Sequence, residues 1–136
     1  MKRTVFLLFF LASLIVNAQK SDYEMIAETV GYYLDGGTNN DFETLKKAFH
    51  ENATMKYITD EGYKEVNALE FFSRMDASKP KQDRKTRIAN ITIAGHAANA
   101  RLEIKYPTFT FIDFMNLLKV DGEWKIVNKI FYRKTD

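Results

Sequence analysis

The chain has 136 residues, with 20 Lys and Arg against 18 Asp and Glu, and no cysteine. Two of the basic residues, Lys2 and Arg3, precede residue 19 and every acidic residue follows it, so the remainder carries no net charge and lacks the broad positive field of a nucleic-acid binder. Disulfides are excluded, and the core must come from the aliphatic residues, seven Tyr, one Trp and the Phe residues, eight of the eleven lying after residue 18.

Lys2 and Arg3 are followed by an apolar run, Val5 to Val16, and then by Val16-Asn17-Ala18. That order of charge, apolar core and small residues predicts a secretory signal peptide over residues 1–18, cleaved after Ala18. The run is shorter than the roughly 20 residues a membrane-spanning helix needs, so no stable membrane anchor is expected after cleavage. One domain is expected over residues 19–136, exported to the periplasm or the medium.

Ser21-Asp22-Tyr23-Glu24 is a capping box, and Tyr23, Ile26, Ala27, Val30, Tyr33 and Leu34 recur behind it at helical spacing. The helix is expected to end near Gly36-Gly37. Asn40-Asp41-Phe42-Glu43 opens a second, short helix with Phe42, Leu45, Ala48 and Phe49 inward. Thr54 to Thr59 and Tyr63 to Val66 read as a hairpin turning at Asp60-Glu61-Gly62, and Asn67 starts a third short helix. Ala77 to Thr86 is a polar loop. Beyond it the period changes to two: Ile91 and Ile93, then Ala100, Leu102, Ile104 and Tyr106, alternate with polar residues. Thr108 to Val120 is apolar on both faces, which predicts a central strand or one covered by a partner. Asp121-Gly122 turns it into a last strand, Trp124 to Arg133, with Lys129, Arg133 and Lys134 outward. Helices followed by a meander predict an α+β fold: three N-terminal helices on a curved, mainly antiparallel sheet.

Four stretches carry a family resemblance: Tyr32-Tyr33-Leu34-Asp35-Gly36; Asn40 to Leu45; Ala48 to Met55; and Val120-Asp121-Gly122-Glu123-Trp124-Lys125-Ile126-Val127. In this order the chain resembles the nuclear transport factor 2-like superfamily, in its lumazine-binding-like and SnoaL-like branch. The resemblance implies a cone-shaped α+β barrel and a homodimer packed through the sheet. Ketosteroid-isomerase-like members use a Tyr on the first helix, an acid on the first strand and an acid on a late strand. By that resemblance Tyr33 takes the Tyr position, Tyr57 falls where the base would be, and Asn116 or Asp113 falls at the late-strand position. The base is therefore missing.

His50 has two readings, a general base beside a pocket or a residue closing the second helix. His96 sits in a turn and is expected in solvent. Two distant His and no Cys give no transition-metal ligand set, and Gly36-Gly37 follows a helix instead of opening one, so neither a metal nor a phosphate-bearing cofactor is expected. The basic run from Lys79 to Arg87 reads as a solvated loop. The expected function is an exported protein that binds a small apolar or aromatic ligand between helices and sheet, in a pocket formed by Tyr33, Tyr57, Phe72, Asn116 and Trp124. The alternatives are a lyase or isomerase with His50 or Asp113 as base, and a non-catalytic dimeric interaction module.

Overall fold

The computed structural model describes residues 19–135; the leader expected over residues 1–18 lies outside them. Helix α1 spans Asp22–Asn39. Its start is the capping box: Ser21 Oγ accepts the Glu24 amide at 3.2 Å, and the Glu24 carboxylate accepts the Ser21 amide at 2.8 Å. Both bonds satisfy amides that a helix start leaves without partners. The buried stripe is Ile26, Val30, Tyr33 and Leu34. Tyr23 is 55% exposed. In that first turn it is Asp22 that faces the sheet, accepting from Trp124 Nε1 at 2.8 Å and Lys119 Nζ at 2.9 Å, and the next residue is rotated toward water.

α1 runs past Gly36-Gly37 and stops at Asn40, whose φ of 54° is left-handed. Asparagine tolerates that conformation better than most residues. The glycines serve close approach instead. A Cβ on Gly36 would stand 2.5 Å from the Leu45 amide nitrogen, and one on Gly37 would fall on the Arg84 guanidinium.

Helix α2, Phe42–Leu45, is capped by Asp41 and tightens into a 3-10 turn over Lys46–Ala48. Strand β1, Phe49–Thr59, pairs with β2, Gly62–Asn67. Asn67 caps helix α3, Ala68–Phe72. After a loop come β3 (Lys85–Ala94), β4 (Ala97–Lys105), β5 (Phe109–Val120) and β6 (Glu123–Thr135). The six strands form one sheet in the order β2-β1-β6-β5-β4-β3, antiparallel throughout except where β1 lies parallel to β6. The helices cover one face, and the core fills the space between, so the fold is α+β as expected.

Pairing shifts register at three places, in β1, β3 and β6, and those in β6 and β1 bear on the site. In β6 the pairing steps from Asn116↔Asn128 to Leu117↔Ile126, which leaves Val127 as an extra residue. A bulge of this kind inverts the inward phase of a strand. Trp124 and Ile126 point to the core before it; Lys129 and Phe131 do so after it. Lys129, expected outward, is therefore 4% exposed. In β1 the pairing to β6 jumps between Phe49 and Thr54. His50 sits in that irregular stretch, at the start of the strand instead of the end of a helix, and its Nδ1 accepts the Asn52 amide at 3.1 Å.

β5 is covered on one face only. Asp113, Met115 and Leu117 are buried against the helices, whereas Phe114 and Leu118 on the other face are 36% and 40% exposed. They share that outer face with Ile58, Ile130 and Tyr132. A ladder of amides crosses it as well: Asn99 donates to Asn116 at 2.9 Å, Asn116 to Asn128 at 3.1 Å, and Asn128 to Thr54 Oγ1 at 3.2 Å.

The two classes of helical glycine predict opposite outcomes. Gly36→Ala forces α2 away from α1 and should destabilise by about 1–3 kcal/mol. A Cβ at Gly31 has nothing within 4 Å, so Gly31→Ala should stabilise by about 1 kcal/mol. Urea midpoints at constant m-value would check both.

Candidate functional site

A cavity of about 580 Å³ opens between the helices and the covered face of the sheet. That is within the range of small-molecule sites. Its apolar walls come from most elements: Tyr33 of α1, Met55 and Tyr57 of β1, Phe72 of α3, Ile104 of β4, Phe111 of β5 and Phe131 of β6. The rings brace one another. Tyr57 stacks on Phe131 with centroids 5.0 Å apart, and Phe111 meets Phe131 edge-on at 5.4 Å. Tyr33 and Phe72 are edge-on at 5.8 Å. Phe71 and Arg74, both exposed, mark the open side.

One wall holds a buried polar cluster. Tyr33 Oη donates to Asp113 Oδ2 at 2.7 Å. Lys129 Nζ lies 2.8 Å from Asp113 Oδ1. It approaches off the directions a hydrogen bond prefers, so Oδ1 has a close counter-charge and no hydrogen-bond donor. The register explains the meeting: Lys129 stands opposite Met115 and reaches diagonally to Asp113. Tyr33 and Lys129 line the cavity, and Asp113 lies behind them with no exposed surface. Lys129 Nζ is also 4.2 Å from the Phe131 ring centroid. Burial pushes the Lys129 ammonium below its ordinary pKa, against the opposing pull of Asp113. Burial, then the Asp113 charge and hydrogen bond, push the Tyr33 phenol well above 10.

The second polar wall is a lacing of the 79–84 loop onto the end of α1. Arg84 donates to the Leu34 carbonyl at 2.9 Å, to Thr38 Oγ1 at 2.8 Å and to Tyr106 Oη at 3.1 Å. Tyr106 Oη in turn donates to Gln82 Oε1 at 2.5 Å, and Gln82 Nε2 bonds the Gly37 carbonyl and Asn40 Oδ1, both at 3.1 Å. A cation in the last turns of a helix is favourable both as a hydrogen-bond donor and against the helix dipole. Arg84 is thus half-buried on the cavity wall and not part of a solvated loop.

The structure brings Tyr33, Tyr57 and Phe72 to the cavity. Asn116 is not there. It lies on the outer face of β5, because even-numbered residues of that strand point away from the helices. Trp124 is also elsewhere: it is buried at the start of β6, where it holds Asp22 and its carbonyl accepts from Thr29 Oγ1 at 3.1 Å. His50 does not line the cavity, and His96 is exposed in the β3–β4 turn. No carboxylate is among the residues lining the cavity; Tyr57 stands on β1 where a carboxylate base would be expected. Lys129, Arg84, Tyr106 and Gln82 are among the cavity residues that sequence reasoning missed. The sequence signal for Lys129 is the polar Asn128 at the position where the alternation of Trp124 and Ile126 calls for an inward residue.

Residues 21–132 match the family model described as "Putative lumazine-binding", and the chain belongs to that family, within the nuclear transport factor 2-like superfamily. It is similar to a solved NTF2-like protein of unknown function from Shewanella baltica, with 31% identity and a TM-score of 0.76 over 87% of this chain and all of that one. A second, from Methylobacillus flagellatus, has 30% identity and a TM-score of 0.73 over 87% of this chain and 96% of the other. Aldolase FrzH of Cladobotryum sp is 25% identical over 82% of this chain and 91% of its own length.

Removing Lys129 alone strands a buried carboxylate. Lys129→Met should therefore cost about 3–5 kcal/mol, and the double variant Asp113→Leu with Lys129→Met should recover most of it. Chemical denaturation of the three proteins reads this directly. Tyr33 has a folded-state pKa above its unfolded one, so its contribution is complete below pH 10 and is lost as pH rises beyond it. In an ultraviolet alkaline titration it should be the last of the seven tyrosines to ionise, and Tyr33→Phe should remove that late phase.

Proposed function

We propose that this member of the family is an exported binding protein for a small, flat, largely apolar molecule carrying a carbonyl or similar acceptor. The observation that carries the reading is the cavity of about 580 Å³ itself: aromatic on most of its walls, with a few fixed polar groups. Such a composition takes its affinity from ring burial and its orientation from the polar minority. Tyr57, Phe72, Phe111 and Phe131 supply the flat surfaces, and the Lys129 and Arg84 walls supply the polarity. A lumazine-like ring, named in the family's description, shares the flatness and the carbonyls and is more polar than the walls alone would select.

A second reading is an enzyme acting next to a carbonyl. What favours it is the Tyr33–Asp113–Lys129 cluster at the wall, together with the aldolase among the relatives. His50 is set aside as the base, since it does not line the cavity. Asp113 reaches the cavity only through Lys129 and Tyr33.

Export rests on the leader pattern of residues 1–18. Pairing of two copies through the sheet rests on the open apolar face of β5 and β6, where Phe114, Leu118, Ile130 and Tyr132 are all more than a third exposed.

Native mass spectrometry of the protein from its own host reads all three. The expected result is a dimer of chains beginning at Gln19, with a co-purifying small molecule. Tyr57→Ala and Phe72→Ala should each weaken retention of that molecule by about tenfold, on the order of one lost ring contact. A protein that retains nothing and binds no aromatic compound in a ligand screen would sink the binding reading.

A further inference from the structure

We propose that Lys129 is a nucleophile whose ε-amine condenses with the carbonyl group of an aldehyde or ketone held in the cavity, with Asp113 carrying the protons. The inference rests on the cavity being a small-molecule site and adds the chemistry of one of its walls.

Geometry carries it. Lys129 lines the cavity, yet its side chain is only 5% exposed. Its Nζ is 2.8 Å from a carboxylate oxygen whose accepting capacity is otherwise unused, so a small rotation of the ammonium gives its proton one near acceptor. Tyr33 fixes the other carboxylate oxygen at 2.7 Å and keeps the first one turned to the amine. The Phe131 ring lies 4.2 Å from the nitrogen and excludes water from that side. Burial also shifts the amine toward its neutral, nucleophilic form. A purely structural ion pair in this place is weakly justified, because well-packed apolar residues hold a core at least as well. Arg84, by contrast, is occupied by three hydrogen bonds that tie the loop to α1.

The step balances without an outside reagent. The ammonium passes a proton to Asp113 Oδ1, and the freed lone pair forms a bond to the carbonyl carbon as the π pair moves onto oxygen. That oxygen takes the proton from Asp113. The nitrogen then returns one proton to Asp113, which delivers it to the hydroxyl as the hydroxyl leaves as water and the C=N bond forms. Nothing is oxidised or reduced. The product iminium is again a cation beside the Asp113 carboxylate, so the site never holds an unpaired charge, which burial would make costly.

Benzaldehyde with cyanoborohydride, followed by peptide mapping, tests it. Lys129 should be alkylated about tenfold or more faster than the exposed Lys46 and Lys47, as a buried, activated amine is compared with solvated ones. Benzyl alcohol, the same ring without a carbonyl, should bind in a ligand-observed NMR experiment and slow the labelling. Asp113→Asn should slow alkylation of Lys129 while benzyl alcohol still binds. If benzyl alcohol binds and Lys129 reacts no faster than Lys46 and Lys47, the nucleophile is wrong and the binding site stands. If neither compound engages the protein, both readings fail. The wild-type rate ratio decides the matter even if the Asp113 variant does not fold.

Discussion

A lysine and an aspartate removed from water together set the terms for the rest of this fold. Each ion alone in the interior would cost several kcal/mol, and their attraction offsets that only if the geometry holds. Three elements are committed to holding it. β5 brings Asp113, β6 brings Lys129 one diagonal step away, and α1 lays Tyr33 across the carboxylate. The position of α1 over the sheet is in turn fixed at its two ends. Asp22 is tied to Trp124 and Lys119 at one end, and the Arg84 guanidinium holds the Leu34 carbonyl and the Thr38 hydroxyl near the other. The cavity is the space left between a helix pinned at both ends and a sheet that curves beneath it.

Most of the architecture was readable in the chain because it depends on local rules. The capping box at Ser21, the Asp41 and Asn67 caps and the Asp121-Gly122 turn involve neighbours in sequence, and each is found where its residues predict it. The alternation of Ala100, Leu102 and Ile104 likewise states which face is buried. The site was less legible because its decisive residues depend on exceptions to those rules. Lys129 reads as outward until Val127 is known to be an extra residue. Arg84 reads as one charge in a basic run until a helix end is placed beside it. The end of α1 was misjudged for a related reason. Two glycines usually stop a helix, but here they let α2 and Arg84 come close, a tertiary requirement that sequence spacing does not record.

The resemblance points to Tyr33 and to Asn116 or Asp113, and the structure joins Tyr33 to Asp113 by a hydrogen bond. Asn116, and Trp124 from the aromatic set, fall outside the cavity. For Asn116 the difference is one residue along a strand, which is the difference between two faces of a sheet. Trp124 illustrates a separate point: a large aromatic is as useful to the frame as to a ligand. Its indole nitrogen anchors the start of α1, and its bulk is spent in the core.

The bulge at Val127 makes strand length a functional quantity. A strand normally tolerates exchange of side chains far better than a change in their number, and here the number carries the polarity of the cavity. Loss of that one residue would leave the hydrophobic content of β6 almost unchanged. It would also leave Lys129 opposite Met115 and facing the cavity, since Ile126 and Asn128 already pair with the adjacent Leu117 and Asn116; an unbulged strand of the present length would instead turn Lys129 outward and Asn128 and Ile130 inward. A relative lacking the bulge should therefore keep an inward lysine only where β6 is also one residue shorter between the positions of Trp124 and Lys129.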